Sequence, residues 1–171
     1  MKYFLITVFI FSFFNLQAQL DSTQLNANLT AFDFWVGDWE LHWMNPDSSF
    51  TYGTNLIEKT LDGNVIQENF DDPSSGFKGT SISIYSLVDS SWHQTWADNA
   101  GGHFDFYGII EGEKRIFQTL PKERNDTLII QRMRFHSIKD NEFIWNWEFS
   151  NDEGKTWKLT WQIFYERKQE E

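Results

Sequence analysis

The 171-residue chain predicts an all-β domain, a closed sandwich or barrel of about ten short antiparallel strands, on three observations. Apolar and polar residues alternate with the period of a half-buried strand, as in Trp39, Leu41 and Trp43 against Glu40 and His42. Turn signals recur at intervals of roughly 8 to 12 residues. Beyond a short aromatic stretch near Phe32, no segment carries a helical period.

Taken in order, Leu20 to Thr30 is polar and aperiodic and reads as a loose leader. Phe32-Asp33-Phe34-Trp35-Val36-Gly37-Asp38-Trp39-Glu40 then crowds aromatics before a glycine and a tryptophan that opens a strand. Glycine at 37 permits a sharp bend from a short helical plug into that strand while Trp35 and Trp39 stay buried. Asn45-Pro46-Asp47-Ser48 ends it. Tyr52–Thr60 and Val65–Phe70 form a hairpin across Asp62-Gly63-Asn64. Lys78–Leu87, Ser91–Asp98, His103–Glu111 and Lys114–Leu120 follow, the third after Asn99-Ala100-Gly101-Gly102 and the fourth across Gly112. Asp126–Ser137, Phe143–Ser150 and Trp157–Glu166 complete the set, and residues 168–171 are a charged tail.

Period also assigns faces. Trp157, Leu159, Trp161, Ile163 and Tyr165 share one side of the last strand, and Phe143, Trp145, Trp147 and Phe149 share one side of the strand before it. The chain has 9 Trp and 17 Phe, so the interior is expected to be lined by rigid flat rings. Such rings either surround one small apolar ligand or fill the core outright.

The Gly37-Asp38-Trp39 opening resembles the start of lipocalins, fatty-acid-binding proteins and nitrobindin-like barrels, together the calycins. The longer F-D-F-W-V-G-D-W-E, with W-H-Q-T-W-A-D at Trp92–Asp98 and W-E-F-S-N-D-E-G-K-T-W near the C-terminus, resembles an uncharacterised family of secreted bacterial proteins. The likeness runs from Phe32 to Arg167. It implies a lipocalin-like antiparallel barrel over residues 32–167 and implies no established activity.

Residues 1–19 hold a single Lys2, the apolar run Tyr3 to Phe14 and then Asn15-Leu16-Gln17-Ala18-Gln19, the pattern of a signal peptide. Its removal would leave about 150 residues, one domain's worth, exported to the periplasm or beyond. No transmembrane segment is expected, since spanning takes about 20 apolar residues. Net charge is −11, and cleavage would take it one unit lower, so phosphate backbones would be repelled and nucleic acid is not an expected partner. Cys is absent, which removes disulfides, thiolate metal sites and a lipidated cysteine.

Polar residues on apolar strand faces are the candidates for function, because burying them costs energy unless they are paired or kept for a ligand. Glu68 lies in phase with Ile66 and Phe70, and Gln94 and Asp98 lie in phase with Trp92 and Trp96. Arg132 and Arg134 sit on a strand whose two faces are both half apolar. An inward Arg132 would pair with Glu68 or Asp98 and grip a ligand carboxylate or hydroxyl. An outward one would pair on the surface with Glu148. With Trp96, Trp145 and Trp147, these give a ligand-binding set of Glu68, Gln94, Trp96, Asp98, Arg132, Trp145 and Trp147. Glu68, Asp98 and His93 are the candidates for acid–base chemistry. Ser150-Asn151-Asp152-Glu153-Gly154-Lys155-Thr156-Trp157 matches the Asp-box of sialidase propellers, but one copy in a chain this short reads as a hairpin device. His42, His93, His103 and His136 fall on separate strands, so neither a metal site nor a haem is expected, and no cofactor is.

Three functions follow: an exported barrel that binds a small apolar or aromatic molecule inside, a cofactor-free isomerase, cyclase or hydrolase that uses a carboxylate in the same cavity, and a filled envelope protein that acts through its surface.

Overall fold

A computed structural model describes residues 22–169. The signal-peptide reading of residues 1–19 lies outside them. The chain divides into two units, Met1–Phe32 and Asp33–Glu171. In the first, residues 22–29 form an α-helix, α1, where the sequence reads as a loose leader. Its polar side chains bond along the helix, Gln24 Nε2 donating to Asn28 Oδ1 one turn on at 3.0 Å.

The second unit opens with a 3-10 turn, Asp33–Trp35, and continues as eleven strands. These are β1 (Gly37–Met44), β2 (Phe50–Thr60), β3 (Val65–Asp72), β4 (Phe77–Ser86), β5 (Ser91–Asp98), β6 (His103–Glu111), β7 (Lys114–Gln118), β8 (Lys122–Arg124), β9 (Thr127–His136), β10 (Glu142–Ser150) and β11 (Lys158–Arg167). Consecutive strands pair antiparallel from β1 through β7, β9 follows β7, and β10 and β11 lead back to β1. Ten strands therefore close a ring. Closure satisfies every edge, and it places residues alternately inside and outside along each strand.

β8 is the exception and was not foreseen. It pairs only with the first residues of β9, Lys122 opposite Ile129, while β7 pairs with the last, Gln118 opposite Arg132. β7 and β8 are thus one strand broken at Thr119-Leu120-Pro121. Proline cannot donate to the ladder, and Thr119 bridges the break, its N–H donating to Gln131 O at 2.9 Å and its Oγ accepting from Gln131 N at 3.1 Å. All three β8 residues are exposed, so no apolar period marks them.

The turn Asp33–Trp35 closes one end. Trp35 and Trp39 are fully buried, Trp39 Nε1 donates to Trp35 O at 2.8 Å, and Phe34, Trp35 and Trp39 meet Phe135 and Phe143 edge to face. The Arg167 guanidinium lies over the Trp39 ring at 4.2 Å and donates to Val36 O. A Cβ on residue 37 would sit 2.0 Å from Arg167 Nη1, so glycine there serves the approach of the arginine as well as the bend. Phe117, Leu41, Ile57, Ile66 and Ile163 complete the packed core at this end.

Two faces depart from simple period. In β4 the apolar residues Ile82 and Ile84 are 55% and 40% exposed, whereas Ser81 and Ser83 are 1% and 0% exposed. The neighbouring strand supplies the reason, since Trp96 and Gln94 of β5 lie across β4 and leave room only for small residues beneath them: a Cβ on Gly79 would stand 1.9 Å from the Trp96 ring. In the β10–β11 hairpin, Trp147 faces Trp161 but Glu148 faces Leu159, a one-residue bulge. Trp161, Ile163 and Tyr165 point inward as expected. Leu159 does not: beyond the bulge it is 47% exposed, and Trp157 lies under the Arg132 guanidinium at 3.7 Å.

The Asp-box stretch is the connection between these strands. Asp152 Oδ1 accepts from Thr156 N at 2.9 Å and Ser150 Oγ at 2.7 Å, Ser150 Oγ accepts from Gly154 N at 2.8 Å, and Trp157 Nε1 donates to Gly154 O. Glu153 and Gly154 both take positive φ. Every group of the motif is used in holding the turn.

Candidate functional site

Opposite the plugged end the rings stand apart. Phe70, Phe77, Trp96, Phe104, Phe106, Trp145, Trp147 and Trp161 surround a cavity of about 160 Å³ that Met133, Ile163 and Tyr165 line more deeply. Trp145 and Trp147 stack in parallel with centroids 6.2 Å apart, and Trp161 meets Trp145 edge-on at 5.7 Å. Trp96, Trp145, Trp147 and Trp161 are each only half-buried although their strands point them inward. They wall a space rather than fill one.

Among the described residues two charged ones reach this cavity, Glu68 and Asp98, and both are acidic. Glu68, 5% exposed, sits in a buried polar network. Its Oε1 accepts from Asn55 Nδ2 at 2.7 Å and its Oε2 from Ser81 Oγ at 2.6 Å. Asn55 Nδ2 also reaches Tyr165 Oη at 3.2 Å, and Gln94 Nε2 donates to Ser81 Oγ and Ser83 Oγ. Burial pushes the Glu68 carboxyl up to about 7, against the hydrogen bonds from Ser81 and Asn55 that favour its charge. Tyr165 is likewise raised, by its own burial and by the charge on Glu68. Two carbonyl oxygens in this network, Asn55 Oδ1 and Gln94 Oε1, are buried with no donor among the described residues.

Asp98 is placed differently. It is half-buried at the end of β5, and accepts from Trp96 Nε1 at 3.0 Å, Gly102 N at 2.7 Å and Ala100 N at 3.0 Å. Partial burial raises its carboxyl, but these donors outweigh it and the net shift is downward. Asp98 therefore stays ionised and fixes the Trp96 indole against the wall.

Of the residues proposed from sequence, Glu68, Trp96, Asp98, Trp145 and Trp147 line the cavity, and Gln94 stands behind Glu68, joined to it through Ser81. Arg132 does not join them. Its strand turns Met133 and Phe135 inward, so Arg132 and Arg134 lie on the outer wall, where their Nε atoms donate to Glu148 at 2.7 and 3.0 Å. The inward pair with Glu68 or Asp98 is corrected to the outward pair with Glu148. His93 is corrected too: between the inward Trp92 and Gln94 it faces out, and bonds Asp89 at 2.7 Å and Ser91 at 2.9 Å. All four histidines fall on outer faces of the wall, and none lines the cavity.

Sequence reasoning missed Asn55, Ser81, Ser83 and Tyr165 as the surroundings of Glu68. Asn55 carried a signal, a polar amide in phase with Ile57. The serines carried none, because beside Ile82 and Ile84 they read as the outer face. Comparison of the chain with protein-family models and with curated proteins finds no match to either.

Proposed function

We propose that the barrel binds one small, largely apolar or aromatic molecule in the space walled by Trp96, Trp145, Trp147 and Trp161. The observation that carries this is the half-burial of four inward tryptophans around a cavity of about 160 Å³. An apolar cavity of roughly 150 Å³ suffices for benzene, so the volume suits a single ring or a branched group of similar bulk. The test uses benzene, phenol and indole as probes. Each that binds should quench tryptophan emission and raise the thermal midpoint according to RT ln(1 + [L]/Kd). Silence of all three at millimolar concentration would overturn a neutral aromatic occupant.

Glu68 favours a second reading, catalysis. A carboxyl held near 7 in an apolar pocket is matched to general acid or base work at neutral pH. Glu68→Gln distinguishes the two: a binder loses affinity, whereas an enzyme keeps binding and loses turnover.

A further inference from the structure

The charge of the ligand can be read from the cavity, on the reading that the cavity binds a small molecule. We infer that the preferred occupant is a small organic cation, a protonated or quaternary ammonium ion, held against the indole faces with Glu68 as its counter-ion. Three independent observations converge. First, the wall is aromatic on several sides, Trp96, Trp145, Trp147 and Trp161 with Phe104 among its rings, and an aromatic face carries the negative end of the ring quadrupole that attracts a cation. Second, among the described residues the lining holds Glu68 and Asp98 and no Lys, Arg or His, so its charged groups there are negative only. Third, Glu68 receives only neutral donors, from Asn55 and Ser81, and no cation pairs with it among the described residues.

A neutral hydrocarbon would satisfy the rings and leave the carboxyl desolvated and without an opposite charge. An anion would face two carboxylates. A cation answers all three features. The other titratable groups on the lining are Tyr165 from β11, whose hydroxyl is neutral throughout the working range, and Asp98 from β5, which is ionised and adds to the attraction.

The test compares choline with 3,3-dimethylbutan-1-ol, which has the same branched outline with carbon in place of the charged nitrogen. Titrations of the full-length protein are followed by calorimetry and tryptophan emission at about pH 8, above the value for Glu68. Choline should bind at least tenfold tighter than the alcohol. Glu68→Gln should remove most of that preference by weakening choline far more than the alcohol, with far-UV and near-UV circular dichroism confirming the fold. The wild-type comparison stands even where the variant does not fold. Equal or tighter binding of the alcohol overturns the cation and leaves the apolar-ligand reading intact. Failure of choline and the alcohol alike, with benzene and indole also silent, overturns both.

Discussion

Replacing Glu68 by glutamine should remove a destabilising contribution that grows in the wild-type protein as pH rises from about 4.5 to about 7. The carboxyl titrates near 4.5 in the unfolded chain and at about 7 in the folded one, chiefly because burial disfavours its charge. Folding therefore binds a proton, and the sign follows. Below the unfolded value both states are protonated and Glu68 imposes no penalty. Between the two values the unfolded chain releases its proton and the folded one keeps it. Above the folded value the native state carries the desolvated charge in full. At ~1.4 kcal/mol for each pH unit of separation, the swing is about 3 kcal/mol.

Asp47, Asp72, Asp89, Asp98, Glu148 and Asp152 are shifted downward and push stability the opposite way, present above their unfolded values and lost as pH falls. They are common to both proteins and cancel in the difference. Glutamine can still accept from Asn55 Nδ2 and donate to Ser81 Oγ, which keeps the network joined. Urea denaturation followed by tryptophan fluorescence at about pH 5, 6, 7 and 8 measures the effect. The variant should gain about 2.5 kcal/mol on wild type across that span, most of it by pH 7. A difference constant to within about 0.5 kcal/mol would show that Glu68 titrates normally and would refute the account of its burial.

Two further predictions follow from packing. Trp39→Ala should cost roughly 3–5 kcal/mol, because the ring is fully buried against Phe143 and Tyr165 and its loss also strips Arg167 of its platform; a thermal midpoint lowered by only a degree or two would contradict this. Gly79→Ala places a Cβ 1.9 Å from the Trp96 ring and should cost about 1–3 kcal/mol while weakening any ligand of the cavity, and retention of wild-type stability and choline affinity would show that the indole does not rest on Gly79.

The ten strands of the ring were legible in the sequence because period and turns are both local, whereas period alone left sandwich and barrel open. Trp39, Leu41 and Trp43 alternate cleanly, and Asp62-Gly63 turns where Leu61, Asp62 and Gly63 all take positive φ. What period could not supply was any feature decided across strands. The inward serines of β4 are fixed by Gln94 and Trp96 of the next strand, the reversal of Leu159 by a bulge, and the break before β8 by Pro121 and the bridging Thr119. Arg132 was ambiguous for the same reason. Its direction depends on which half of Leu128–His136 the barrel buries, and Met133 and Phe135 win because they meet Phe117 and Phe143 inside, while the charges on the other face find Glu148.

Glu148 and Glu68 show what the barrel does when it buries a carboxylate for structural reasons and when it does not. Their exposures are 4% and 5%, and burial acts to raise the carboxyl in each. On the outer wall, Glu148 is bracketed by Arg132 and Arg134, and although burial alone would raise it, the two guanidiniums bring it below its ordinary value. Inside, Glu68 receives only neutral donors from Asn55 and Ser81, and it is raised to about 7. An ion left without an opposite charge in an aromatic interior is a net cost to the empty protein, and an apolar side chain would spare it. On the cation inference, the cost is recovered when something positive enters. Binding of a quaternary ammonium, which has no proton of its own to lose, should therefore release a proton from Glu68 and tighten by up to about tenfold for each pH unit between roughly 6 and 7, then level off above. Calorimetry of choline binding in buffers of different ionisation enthalpy reads that proton directly. Affinity that is flat from about pH 6 to 8, with no proton released, would mean that Glu68 is not the counter-ion.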